Sequence, residues 1–228
     1  MKKKILTFLL LAVTILSFTG CGKNNVDLSN YLIEERNTLY TAQDDLYTVT
    51  LSNGLREENY SLDGVVGNMV DFAVLTLVKN NSDPLANDTY SYTVTVNENT
   101  YTGELVKSET DNSYSADLGI NIPTDSTINV KITFTGYVFD KELENTYSSF
   151  AVDKNKAIEI ANKELKTELE NLTADKNNKI EVVMKLLKDH SNSELKTYYW
   201  YIGIISTSGE TLGILIDANS GDVIAKKV

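Results

Sequence analysis

The feature that most constrains this chain is a recurring two-residue alternation of apolar and polar side chains between Leu46 and Thr146. Tyr47, Val49 and Leu51 interleave with Thr48 and Thr50. Tyr90, Tyr92, Val94 and Val96 interleave with Ser91, Thr93 and Thr95, and Ile128, Val130, Ile132 and Phe134 with Asn129, Lys131 and Thr133. Successive side chains of a strand point to opposite faces, so each run reads as a half-buried strand. Phe72 to Val78 is apolar on both sides, as a central strand requires. Turn signals at Asn53-Gly54, Asp63-Gly64, Asn80 to Pro84, Asn97 to Thr100 and Pro123 to Ser126 separate the runs. Short antiparallel strands with no helices between them predict a β-sandwich over residues 46–148.

The strand rhythm resembles that of immunoglobulin-like and fibronectin-like domains, without their Cys and Trp hallmarks, and such a likeness carries no function by itself. After Phe150 the period changes. Asp153 can cap a helix, and Ile158, Ala161, Leu165, Leu169 and Leu172 recur at spacings of three and four, which predicts one amphipathic helix of about five turns. Ile180, Val182, Met184 and Leu186 then alternate with their neighbours, and further strands are expected from Thr197 to Ser206, Leu212 to Asp217 and Asp222 to Lys226. Hairpin turns are expected at Ser208-Gly209 and at Asn219 to Gly221. The expectation is a small α+β domain over residues 151–228, one helix packed on an antiparallel sheet, in a chain that is otherwise mainly β. With Ala157, Ile158 and Ala161, the aromatic strand Tyr199 to Tyr201, and Asp217, Ala218, Gly221 and Val223, this segment resembles the PepSY family. The resemblance implies a non-catalytic domain of secreted and membrane-associated bacterial proteins that regulates peptidases near the cell surface. It brings no active-site residues.

At the N-terminus, Lys2, Lys3 and Lys4 precede an apolar run from Ile5 to Phe18, giving residues 1–20 the layout of a secretory signal. The run is shorter than the ~20 residues of a membrane-spanning helix. Phe18, Thr19, Gly20 and Cys21 resemble a bacterial lipobox, which implies cleavage before Cys21 and a lipid on that cysteine. Residues 21–45, polar with scattered apolar positions, read as a lipidated tether. The expected location is the outer face of the cytoplasmic membrane, and usage rich in Lys, Asn and Asp suits a Gram-positive organism. The chain carries a net charge of −11, and removing the three signal lysines leaves −14. That balance argues against nucleic acid and favours neutral or basic partners.

The inventory of chemistry is sparse. Cys21 is the only cysteine and His190 the only histidine, so neither a thiol nucleophile nor a His-based metal site can be assembled. The turn Asp217, Asn219, Gly221, Asp222 lacks the length and the terminal Glu of a calcium loop and reads as a hairpin turn. No GxSxG, HExxH or phosphate-cradling glycine loop occurs, and no catalytic residue, metal or cofactor is expected. Most of the thirteen tyrosines fall in phase with core positions. Tyr198, Tyr199, Trp200 and Tyr201 differ, because four consecutive aromatics on one strand place two side chains on each face. They are the candidate binding surface of a non-enzymatic cell-surface lipoprotein. Its partner would be an envelope or secreted protein, a peptidase being the candidate. The alternative is a substrate-binding lipoprotein for glycans or peptides.

Overall fold

The computed structural model describes residues 26–80, 89–109, 113–146, 150–188 and 198–228. A single 3-10 turn, Leu28–Tyr31, leads into β1 (Leu32–Gln43), followed by β2 (Tyr47–Glu57), β3 (Met69–Lys79), β4 (Tyr90–Val96) and β5 (Asn99–Lys107). Then come β6 (Ser113–Leu118), β7 (Ile128–Phe134) and β8 (Tyr137–Asn145), two short helices α1 (Lys154–Glu164) and α2 (Lys166–Leu172), and β9 (Ile180–Lys188), β10 (Tyr198–Ser206), β11 (Thr211–Asp217) and β12 (Val223–Lys227). Strands β1-β2-β3-β6-β5-β4-β7-β8 are neighbours in that order, and β8 returns to β1 through Tyr40↔Asn145 and Thr41↔Glu144. Every pairing round this ring is antiparallel, so the eight strands form a closed barrel.

The inward phase of the alternation fills the barrel: Val49, Leu51, Leu75, Leu77, Val94, Ile128, Val130 and Ile132 belong to one buried cluster. An eight-stranded barrel is just wide enough for side chains to fill it. Aromatic rings pack at one mouth, with Tyr90 4.3 Å from Tyr114 and 4.5 Å from Phe134, and Phe134 5.2 Å from both Tyr47 and Tyr137. At the other mouth the Asn53 side chain exchanges hydrogen bonds with the main chain of Ile122, seating that side chain in the core.

Strand β9 lies parallel to β1, from Leu32↔Val182 to Arg36↔Lys185, and β10, β11 and β12 continue as an antiparallel meander. The helices cover one face of this extension. Ala157, Ile158, Ala161, Leu165, Leu169 and Leu172 share a second core with Ile180, Val182, Met184, Trp200, Ile202 and Ile214.

Four expectations are corrected. The strands of residues 46–148 form a closed barrel, not a sandwich. Alternation specifies one buried face per strand, and this is satisfied equally by two facing sheets or by one sheet curled on itself. Nor is residue 151 onward a helix-on-sheet domain that follows a sandwich, since its strands extend the barrel's own sheet through β1. Finally, residues 32–43 of the expected tether are a strand. Its alternation is masked by the irregularity between Arg36 and Thr38 and by Glu35, a carboxylate in a buried position that accepts from Lys154 Nζ at 3.0 and 2.9 Å. The expected five-turn helix is also divided. Leu165 leaves helical geometry at φ −108°, ψ 14°, where Lys226 Nζ donates to the Glu164 carbonyl at 2.9 Å.

Gly54 is where the outer wall is tightest. It lies between Arg36 on β1 and Phe72 on β3, and a Cβ there would lie 1.7 Å from the Glu35 carbonyl oxygen. Since that contact is with backbone, the Gly54→Ala variant should lose about 3 kcal/mol of stability. Thermal unfolding followed by circular dichroism should show a markedly lower Tm, and an unchanged Tm would mean that β1 and β2 can separate freely.

Candidate functional site

The aromatic run of β10 divides between the two faces of the sheet. Tyr198 and Trp200 point under the helices, Trp200 being 0 % exposed with its Nε1 donating to the Val152 carbonyl at 2.8 Å, and the Tyr198 ring packing at a tilt against Phe150, 4.9 Å between centroids. These two are core residues. Tyr199 and Tyr201 alternate with them and face the side the helices leave open; Tyr199 is half-buried and Tyr201 is 37 % exposed. The Tyr201 ring lies over the paired glycines Gly203 and Gly213. A Cβ on Gly203 would meet its hydroxyl at 2.6 Å, and one on Gly213 its Cε2 at 3.7 Å. The glycines therefore make a bed in which the ring lies flat, an arrangement that presents its π-face outward.

Register places cross-strand neighbours beside these rings: Lys185 and Leu215 flank Tyr201, and Leu187 and Asp217 flank Tyr199. The β9 end of this row opens into a cleft. Beyond Arg36↔Lys185 no β1–β9 pairs continue, and residues 186–188 pair with β10 alone. The wedge left between β9 and the barrel wall is about 400 Å3, lined by Leu39, Thr50, Ser52, Thr76, Val78 and Leu187, with Arg36 and Lys188 also contributing. Its volume falls within the range of small-ligand and peptide pockets. It has no aromatic lining, but Leu187 belongs both to the cleft and to the row beside Tyr199, so the two surfaces are continuous.

Although the chain is acidic, this region gathers cations. Glu34 is shared by Arg36 Nε at 2.8 Å and Lys185 Nζ at 3.3 Å, which leaves one positive charge in excess. Burial, and then the neighbouring Arg36 guanidinium, push the Lys185 ammonium below its ordinary range, against the opposing pull of Glu34. Lys188 Nζ donates to Gln43 at 3.0 Å. Arg36 and Arg56 both lie over the ring of Phe72, at 5.3 and 4.7 Å from its centroid, which fixes the Arg36 guanidinium against the wall.

Other candidates from the sequence resolve differently. Asp217 Oδ1 accepts from the amides of Asn219 and Ser220, and Gly221 sits at φ +80°, so this is a hairpin turn whose carboxylate serves its own backbone. Cys21 and His190 lie outside the described residues. Among the described residues no group of three His, Cys, Asp or Glu side chains is arranged to hold a metal. The cleft itself was not legible in the sequence, because its walls come from five strands, with β6 and β9 far along the chain from β1, β2 and β3. Its one local signal was the polar run Thr48, Thr50, Ser52 on the outward phase of β2. No family model, characterised protein or solved structure matches the chain.

Several tyrosines elsewhere are structural. Tyr47, Tyr90 and Tyr92 are buried in the barrel core. Burial raises Tyr40, Tyr92 and Tyr198 above the usual phenol range, and burial followed by a hydrogen bond to Asp44 pushes Tyr137 up to about 12. A phenol raised in the folded state keeps a proton that the unfolded chain releases near 10, so stability holds below that pH and falls as pH rises towards 12. The Tm should decline through this window, and Tyr137→Phe should flatten the decline. An equally steep fall in the variant would place the effect elsewhere.

Proposed function

We propose that this chain is a non-enzymatic lipoprotein held at the cell envelope by Cys21, which binds a protein through Tyr199, Tyr201 and the adjoining cleft. The observation that carries this reading is the continuity of the flat Tyr201 ring, Leu187 and the cleft. Together they combine an exposed aromatic, apolar lining and a cationic rim, the features that concentrate binding energy at interfaces. The partner class, a secreted or envelope peptidase, rests on the sequence resemblance of Asp217, Ala218, Gly221 and Val223 to the PepSY family alone. An extended segment bearing a carboxylate would suit Arg36 and Lys188, with the hydroxyls of Thr50, Ser52 and Thr76 beside it.

An anchor on Cys21 would lie only a few residues from the first described part of the chain. Asp27 and Leu28 dock on α1, where the Leu28 amide donates to Asn162 Oδ1 at 3.0 Å and Asn162 Nδ2 donates to Asp27 at 3.1 Å. Five residue steps separate Cys21 from Val26, at most about 17 Å of extended chain. The folded body would thus sit close to the bilayer, with a far shorter tether than residues 21–45 provide. Cys21→Ser should move the protein from the membrane fraction to the medium; retention in the membrane would refute the lipid anchor.

A second reading, glycan or peptide substrate binding, rests on the cleft volume alone. One experiment separates the two. The full chain is immobilised and incubated with envelope extract, beside Tyr201→Ala and Leu187→Asp variants. Protein binding predicts a retained partner and, for Tyr201→Ala, a loss of affinity of about thirty-fold, as for an interface residue contributing ~2 kcal/mol. Equal retention by all three proteins would overturn the assignment of this surface, and a ligand lost only with Leu187→Asp would favour the cleft.

A further inference from the structure

The loop joining β2 to β3, residues 58–68, carries four exposed apolar side chains within seven positions: Tyr60 at 59 % exposure, Leu62 at 37 %, Val65 at 65 % and Val66 at 36 %. Among the described residues no other connection between strands carries more than one. The loop's backbone is held from beneath. Glu181, on β9, accepts from the amides of Asp63 at 2.9 Å and Gly64 at 3.1 Å, and Glu57 accepts from the Gly67 amide. The Asp63 carboxylate accepts from the Val65 amide at 2.8 Å, and the Glu58 amide donates to the Asn68 carbonyl at 2.9 Å. Tyr60 is tied down by a side-chain hydrogen bond to Glu181. Gly64, at φ +72°, lies so close to the start of β9 that a Cβ there would meet Lys179 Cβ at 2.5 Å. The loop's amides are thus spent on the body while its apolar side chains are held outward.

This loop lies at the end of the molecule where the chain enters the fold. Strands β1 and β2 are antiparallel, with Glu34 opposite Arg56, so β2 leaves the sheet at the end where β1 begins; β9, parallel to β1, begins there too. Cys21 is five residue steps from Val26, at most about 17 Å of chain. We propose that residues 60–66 enter the interfacial layer of the bilayer that holds the Cys21 lipid, giving the protein a second, non-covalent contact with the membrane. The inference rests on the lipid-anchor reading and deepens it. Lipid accepts backbone only where its polar groups are already bonded, and the amides of Glu58, Asp63, Gly64, Val65 and Gly67 meet that condition. Leu and Val supply the apolar attraction, and a tyrosine ring suits the boundary between acyl chains and water. The acidic chain gains nothing from anionic lipid, so apolar contact is the attraction. A lipid alone tethers the body without orienting it, whereas two contacts fix its tilt. The cleft opens at the other end of β9, beside Leu186 to Lys188, and is then turned away from the bilayer.

The test uses the lipidated protein reconstituted in phosphatidylcholine vesicles. With Cys21 blocked by its lipid, an environment-sensitive probe is attached at Val65→Cys or, as a control, at Val138→Cys. Val138 is also exposed and lies at the far end of the barrel, next to Tyr137, whose hydroxyl donates to Asp44 in the β1–β2 turn. On reconstitution the probe at 65 should shift its emission to the blue, be quenched by nitroxides carried on the acyl chains, and lose several-fold in quenching by aqueous iodide. The probe at 138 should change in none of these. A probe at Leu62→Cys should follow the one at 65, and adding Val65→Asp should return it to water. The proposal is overturned if the probe at 65 stays as open to iodide in vesicles as the one at 138. Shielding that appears without lipid and grows with protein concentration would also overturn it, assigning the loop to a second copy of the chain. Failure of the anchor reads differently: every variant, Val138→Cys included, would then fail to float with the vesicles, and the proposal would fall with it.

Discussion

A strand has two edges, and β1 uses both of them to hold three neighbours. One edge pairs with β2 along almost its whole length. The other is divided, with Leu32 to Arg36 pairing with β9 and Tyr40 and Thr41 with β8. Because the two partners cannot occupy the same edge at the same place, β9 must leave where β8 arrives, and the irregularity between Arg36 and Thr38 marks that point. Barrel closure, the attachment of the C-terminal sheet and the cleft between them are therefore one geometric event. The cleft is what remains when a continuous sheet branches.

The same event organises the charges. Close to the branch, Glu34 bridges Arg36 and Lys185, Glu35 receives Lys154 from α1 on the opposite face, and Arg36 lies with Arg56 over Phe72. The chain has only two arginines, and both lie over this one ring. Exposed ion pairs contribute little to stability, but a planar guanidinium stacked on an aromatic ring keeps a fixed direction. An acidic protein thus carries a small, oriented cationic patch beside its aromatic row. Further along β9, Glu181 ties the β2–β3 loop to the C-terminal sheet, so the two cores are joined by charge at one end of β1 as well as by main-chain pairing along it.

Much of the chain's local structure was readable in advance. The runs around Tyr47, Tyr90 and Ile128 are strands with the expected inward phase, Asp153 caps α1 by accepting from the Lys156 amide at 2.8 Å, and Asn219 to Gly221 turn β11 into β12. These features depend on residues within a few positions of one another. The split of Tyr198 and Trp200 from Tyr199 and Tyr201 follows in the same way from the two-residue period. Which pair lay beneath a helix was decided by the packing of α1 and α2.

The sequence by itself determined where most of the strands fall and which side of each is apolar, since these are properties of local spacing and residue type, although it placed a turn at Asn53-Gly54, which the structure runs through as part of β2. The tertiary structure alone decided that the strands curl into a barrel, that residues 32–43 are its keystone, and that Leu187, Arg36 and Thr76 line one cleft. The physical reason is the division of pairing: an apolar stripe states that a face is buried without naming what buries it. A strand like β1, with polar side chains shared among several neighbours, shows no stripe at all until those neighbours are in place.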